Sequence, residues 1–137
     1  MLKKTISYTD YNGIERKEDF YFNLNKAELM EMEMGTQGGL AEMLQKMVST
    51  QDVPSIMKIF KEIVLKAYGE KSADGKQFMK KDAFGNPLSR AFEQTEAYSV
   101  LFMELITSDE TMAAFINGIV PADVSKQVAA QQAALNF

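Results

Sequence analysis

The sequence of 137 residues contains no cysteine, no histidine and no tryptophan. Without cysteine, the chain cannot form a disulfide, use thiolate chemistry or build a cysteine-based zinc site. Without histidine, it lacks the commonest general base and the commonest transition-metal ligand in proteins. These absences exclude many of the usual catalytic and metal-binding sites.

The chain also lacks a surplus of positive charge and a long apolar run. It has 15 Lys and Arg against 19 Asp and Glu, a formal net charge of −4, whereas nucleic-acid-binding proteins usually carry a basic face. Lys3 and Lys4 are not followed by the apolar stretch of a signal peptide, and no segment is long and apolar enough to cross a membrane. We therefore expect a cytoplasmic protein that binds neither nucleic acid nor a membrane.

The residues that are present predict one globular domain over residues 1–137. The hydrophobic fraction of 46% and the charged fraction of 25% are those of soluble globular proteins. Strand-favouring residues at 2–9, the Asn12-Gly13 pair and a second strand near 15–22 predict an antiparallel β-hairpin within residues 1–23.

A helix is predicted directly after the hairpin. Asn25 and Glu28 have the spacing of a capping box, Leu24 and Leu29 have the spacing of a hydrophobic staple, and Gly35 is a natural stop. This pattern favours a helix over the period-two alternation of methionine and glutamate at residues 30–34, which alone would suggest a strand.

Apolar stripes of helical period follow along the chain. They predict helices at 40–50, 53–68 and 96–107, which should form the core, with Gly69 as the end of the second and Thr95 as the cap of the third. Shorter helices are predicted after Pro87 and after a cap at Ser108 or Asp109. The expected fold is α+β but predominantly α-helical, with the N-terminal β-hairpin followed by a bundle of about five or six helices that occupies residues 25–120.

For two segments, the sequence fits two different structures. Residues 70–86 are polar and contain the tight-turn pair Asp74-Gly75, so either a small second hairpin or a mobile loop would fit. Residues 121–137 are rich in alanine and glutamine with few large apolar side chains, which fits either a C-terminal helix or a frayed tail.

No arrangement of residues predicts catalysis. The neighbouring carboxylates, such as Glu31 with Glu33, lie in charged contexts typical of a solvated surface. The turn at residues 36–39 lacks the lysine and the Ser or Thr of a phosphate-binding loop, and no serine has a visible activating partner. We therefore predict that the chain is not an enzyme and has no catalytic, cofactor-binding or metal-binding residues.

Methionine is unusually frequent, with 10 residues. On composition alone, gap-filling in the core is the better explanation, because methionine packs adaptably. The alternative is a surface that can re-pack against apolar helical segments of varied sequence.

Several blocks of the sequence resemble one family along most of the chain, from about Lys3 to Val124. They are Y-x-D-Y-N-G, E-D-F-Y-F-N-L-N-K-A-E-L-M-E-M-E, the stretch from GGLAEMLQKMV to EKSADGKQF, and FEQTEAYSVLFMELITSDETMAAFINGIVPADV. Together they resemble the tail assembly chaperones of long-tailed (siphovirus-like) phages and prophages.

This resemblance implies a mostly helical, non-enzymatic protein that needs no cofactor. Such chaperones are thought to bind the tape measure protein, a long and partly apolar helical ruler, and to keep it soluble until tail tube subunits polymerise around it. The resemblance also implies several copies on one tape measure, a location in the host cytoplasm, and absence from the mature virion. The tail tube protein, a longer frameshifted form of the chain and further copies of the chain are additional candidate partners.

The expected contact with the tape measure protein is made by methionines of the first two helices, namely Met30, Met34, Met43 and Met47. One alternative is a structural virion protein, such as a minor tail or head–tail joining component. Another is a small adaptor that inhibits a host enzyme, although no run of carboxylates supports mimicry of nucleic acid.

Overall fold

The structure, a computed structural model, describes residues 1–35 and 53–121 of the chain. The predicted helix at 40–50, with Met43 and Met47, and the predicted C-terminal helix or tail lie outside the described residues. The elements in chain order are β1 (Leu2–Thr9), β2 (Glu15–Phe22), α1 (Lys26–Gly35), α2 (Val53–Ala67), β3 (Tyr68–Lys71), β4 (Phe78–Met79), α3 (Ser89–Glu93), α4 (Glu96–Ile106) and α5 (Asp109–Ile119).

The predicted N-terminal hairpin is confirmed, since β1 and β2 pair antiparallel along their whole length. In the turn, the Asp10 carboxylate accepts hydrogen bonds from the backbone N–H groups of Asn12 at 2.9 Å and Ile14 at 3.0 Å. Gly13 has a φ of +79°, a conformation that glycine adopts without a steric penalty. The Asn-Gly pair therefore marked the turn correctly.

A second hairpin extends the sheet. β3 pairs with the end of β2 and β4 pairs with β3, so the four strands lie in the order β1-β2-β3-β4. Gly69 was expected to terminate a helix, but it lies in β3, where an added Cβ would be 2.6 Å from a ring carbon of Phe78 and 2.8 Å from the carbonyl oxygen of Met79. Glycine is therefore required for close approach of the two strands.

The expectation of a predominantly α-helical fold with a helical bundle is wrong. The described chain is an α+β structure in which a four-stranded antiparallel sheet forms a full layer. The second hairpin was not distinguishable from a loop because β3 and β4 have only four and two residues, too few to show the alternation of a strand.

The helix limits within the described residues agree closely with the apolar stripes. α2 and α4 lie within one residue of the predicted ranges 53–68 and 96–107. The Thr95 hydroxyl accepts a hydrogen bond from the N–H of Tyr98 at 3.3 Å, and the Ser108 hydroxyl accepts one from Thr111 at 3.2 Å. These are the helix N-caps that the sequence indicated.

The core lies between the sheet and the helices, not within a helical bundle. Even-numbered residues of β1 and β2 face the helices, as the alternation of a strand requires. The largest fully buried side chains of the described core come from β2, from the link that follows it, and from α2, α4 and α5: Phe22, Phe60, Leu24, Ile63, Leu101, Leu105, Ile116, Ile119 and Val64.

Phe22 is the centre of an aromatic cluster within this core. Its ring centroid lies 5.8 Å from Tyr68, 5.8 Å from Phe92 and 5.2 Å from Phe115. Tyr68 and Phe92 also stack at 4.3 Å. The cluster therefore joins β2 and β3 to α3 and α5.

Replacing Phe22 with alanine should lower the free energy of unfolding by about 3–5 kcal/mol, because it leaves a cavity among the rings. Phe84→Ala is the matched control, since Phe84 is 90% exposed and its truncation should change stability by less than about 0.5 kcal/mol. Urea unfolding followed by circular dichroism measures both. Equal effects of the two substitutions would contradict the buried position of Phe22.

Tyr68 makes the stability of the fold depend on pH in the alkaline range. Burial, followed by the charge of Glu70, raises the pKa of Tyr68 to about 12. The folded state favours the neutral phenol. The contribution of Tyr68 to the free energy of unfolding is therefore complete below about pH 10, the usual pKa of tyrosine, and is lost as the pH rises towards 12.

The free energy of unfolding of the unmodified protein, relative to that of Tyr68→Phe, should therefore fall by about 2–3 kcal/mol between pH 10 and pH 12. The substitution removes the titrating phenol and leaves the other tyrosines unchanged in both proteins. Urea unfolding at a series of pH values measures the difference. If the difference between the two free energies of unfolding does not change with pH, the pKa of Tyr68 is not raised.

Candidate functional site

The helix that carries the first candidate methionines begins at a well-defined cap. The N–H of Asn25 donates to the Glu28 carboxylate at 3.1 Å, and the N–H of Glu28 donates to the Asn25 side-chain oxygen at 2.8 Å. The predicted capping box is therefore confirmed. Leu24 and Leu29 are both buried, which fits the predicted hydrophobic staple and fixes the start of α1 against the core.

Met30 is directed away from this core. It is 63% exposed, whereas its neighbour Leu29 is 8% exposed, because consecutive helical side chains point about 100° apart. Met34 belongs to the same helix, and Met43 and Met47 lie outside the described residues. The structure thus places one of the four predicted contact residues on the surface, and their role in contact stays a prediction.

Lys80 attaches α1 to the rest of the protein. Its ammonium donates to the carbonyl oxygens of Asn23 at 2.7 Å and Lys66 at 2.6 Å, and forms an ion pair with Glu28 at 3.1 Å. These three oxygens match the three N–H donors of a lysine. Burial lowers the pKa of Lys80, while Glu28 acts in the opposite direction.

The position of Lys80 explains why one side chain joins three segments. Lys66 is in the last turn of α2, where carbonyl groups lack partners within the helix and a positive charge is favourable. Asn23 belongs to the link between β2 and α1, and Glu28 is in the first turn of α1. Sequence reasoning missed this contact because Lys80 lies in a polar segment with nothing local to distinguish it from other lysines.

Two tight turns display exposed aromatic side chains. In the turn at residues 82–86, the Asp82 carboxylate accepts hydrogen bonds from the N–H groups of Phe84 and Asn86, both at 2.9 Å. The Asp10 turn has the same pattern two and four residues after the aspartate. Phe84 is 90% exposed and Tyr11, in the first turn, is 79% exposed.

A further apolar pair lies on α4. Val100 is 41% exposed and Met103 is 53% exposed, whereas Ala97, Leu101 and Leu105 on the same helix are fully buried. The buried residues face the core, and the exposed pair lies on the outer side. Together with Met30 and the turn aromatics, this pair supplies most of the large exposed apolar side chains of the described chain.

The described residues were also compared with the requirements of a metal site and of a membrane span. Within residues 1–35 and 53–121, no group of three or more acidic side chains is close enough to bind a metal ion, and no buried side-chain polar atom lacks a hydrogen bond. None of the helices described there is long and apolar enough to span a bilayer. Exposed apolar side chains, with Met30 among them, are candidates for contact with a partner.

These features belong to a small α+β protein with surfaces suited to macromolecular contact. The chain belongs to a family of phage tail assembly chaperones, whose family model matches residues 1–136. The resemblance in the sequence blocks is thereby confirmed. Searches of curated proteins and of solved structures gave no significant match.

Lys80→Met should lower the free energy of unfolding by about 1–3 kcal/mol, because it keeps the apolar stem but leaves Glu28 and two carbonyl oxygens without the ammonium. Amide hydrogen exchange should rise most in α1. Lys76→Met is the matched control, since Lys76 is exposed in the turn before β4. If both variants exchange alike in α1, Lys80 does not hold this helix in place.

Proposed function

We propose that this chain binds the tape measure protein of its phage through apolar helical contacts and keeps it soluble while the tail tube assembles. Membership of the tail assembly chaperone family supports the general role. The observation that carries the specific role is the exposure of Met30 on a helix whose start is held by its cap and by Lys80.

The chemistry of methionine suits such a partner. Its unbranched side chain and polarisable sulfur adapt to differently shaped apolar neighbours, so a methionine surface can bind varied segments of a long helical protein. Because the start of α1 is anchored, Met30 is presented without an additional ordering cost when the partner binds. The net charge of −4 helps to keep a protein with exposed apolar residues in solution.

We place the contact on the four methionines named from the sequence, Met30, Met34, Met43 and Met47. The chain acts in this proposal as a binding protein without enzymatic activity, in the cytoplasm of the bacterial host. The tail tube protein and a longer frameshifted form of the chain are further proposed partners, and the chaperone leaves before the virion is complete.

Co-expression with the tape measure gene of the same phage tests the proposal. The tape measure protein should be mostly insoluble alone and should become soluble and co-purify with this chain. Met30→Lys should weaken the complex about tenfold, which corresponds to about 1.4 kcal/mol. Phe84→Lys adds the same charge at another exposed apolar position and should leave binding unchanged.

Two outcomes would reject parts of this proposal. A tape measure protein that is equally soluble without the chain, and does not co-purify with it, would reject the chaperone role proposed here. Detection of the chain by mass spectrometry in purified virions, at a level of whole copies per particle, would instead favour a structural virion protein.

A further inference from the structure

The outer edge of β1 has no partner within the described residues. In the part of the chain that the structure describes, β1 is the edge strand of the sheet and has β2 as its one partner. The hairpin closes with a hydrogen bond from the N–H of Asp10 to the carbonyl oxygen of Ile14 at 2.9 Å. Backbone groups of an antiparallel strand point alternately to either side, so those of the even-numbered residues of β1 face β2.

The backbone groups of Lys3, Thr5, Ser7 and Thr9 therefore point outward. In the described chain, no backbone hydrogen bond from a turn, loop or helix uses these groups. Unpaired groups of this kind form a template for another strand.

The sequence of β1 protects only the beginning of this edge. Lys3 and Lys4 carry charges that discourage strand pairing, but residues 5–9 have no charge, no proline and no glycine. The register with β2 runs without a bulge, and threonine, isoleucine and tyrosine favour extended structure. The central part of the edge is therefore suited to pairing.

We propose that this edge pairs antiparallel with β1 of a second copy of the chain, with Ser7 opposite Ser7 across a two-fold axis. This contact joins two four-stranded sheets into one continuous sheet of eight strands. The same surface of each copy forms the interface, as in most symmetric dimers.

The side chains in this register complement one another. Thr5 lies opposite Thr9 of the second copy, and Ile6 lies opposite Tyr8, which are favourable cross-strand pairs. Lys4 lies opposite Asp10, so the charges at the two ends of the contact are opposite in sign. An axis at Thr5 instead places Lys4 opposite Ile6 and loses the pairing of charges.

Helix α4, which lies above this edge, provides a second surface for contact with the other copy. α4 is linked to β1 by the ion pair between Lys4 and Glu104 at 3.1 Å. Val100 lies one helical turn before Glu104 and therefore on the same side of α4, and Met103 is next to it on the helix surface. Val100 and Met103 are exposed in the single chain.

A two-fold axis perpendicular to the sheet puts the helices of both copies on the same side of the eight-stranded sheet. The side of α4 that bears Val100 and Glu104 then lies towards the second copy, above the free backbone edge.

Single cysteine variants test the register directly, because the natural chain has no cysteine. Residues opposite each other in a hydrogen-bonded antiparallel pair have Cα atoms about 5.5 Å apart, within the range that a disulfide or a short thiol cross-linker spans. Ser7→Cys should therefore give a covalent dimer on mild oxidation or with such a cross-linker. Thr5→Cys alone and Thr9→Cys alone should not, but a mixture of the two should cross-link.

Ala73→Cys is the control for random collision, since Ala73 is exposed in the turn before β4. It should remain uncross-linked at the same protein concentration. Absence of the Ser7→Cys dimer, or equal cross-linking of Ala73→Cys, would overturn the proposal.

Sedimentation equilibrium of the full chain provides an independent measurement. The unmodified protein and Ala73→Lys should be dimers, whereas Ser7→Lys should weaken the dimer at least tenfold, because it places two lysines opposite each other. Circular dichroism establishes that Ser7→Lys is folded, and the cysteine variants keep the proposal testable if it is not.

Other occupants of the edge give different results. A monomer whose Ser7 amide is protected from hydrogen exchange would mean that another segment of this chain covers the edge. A dimer that Ser7→Lys does not weaken would mean that the copies meet at another surface. Either result would refute the proposed contact.

Discussion

The burial of Phe22 and Leu24, on either side of Asn23, is the constraint on which the described structure depends. Phe22 ends β2 with no exposed surface and contacts aromatic rings from three other elements. The N–H of Asn23 then donates to the carbonyl oxygen of Ala67 at 2.8 Å, and that of Leu24 donates to Ile119 at 2.7 Å. Three consecutive residues thus tie the sheet to the ends of α2 and α5 before the chain enters α1.

This arrangement also determines what α1 presents to solvent. Because Leu24 and Leu29 are buried on either side of the capping box, the helix cannot rotate about its axis without exposing one of them. Met30 is held on the outer surface by the same packing that buries its neighbour. The burial of large apolar side chains stabilises the fold by far more than any single surface contact, so the exposed position of Met30 follows from the core.

Local patterns in the sequence predicted local structure well. The Asn-Gly turn, the capping box of Asn25 and Glu28, and the hydroxyl caps at Thr95 and Ser108 each depend on residues within a few positions of one another. The four-stranded sheet could not be predicted in this way, because β3 is short and its pairing with β2 joins residues more than 40 positions apart. Lys80 was missed for the same reason, since two of its partners, Asn23 and Glu28, are remote in sequence.

The direct passage from α2 to β3 limits how the chain can vary in length. α2 ends at Ala67 and β3 begins at Tyr68, so no loop separates the helix from the strand. A single inserted or deleted residue at this junction would move Tyr68 to the opposite face of the sheet and put a side chain where Gly69 approaches Phe78. Homologous chains should therefore gain or lose residues in the turns at 10–14, 72–77 and 82–86, and keep the length from α2 to β3 constant.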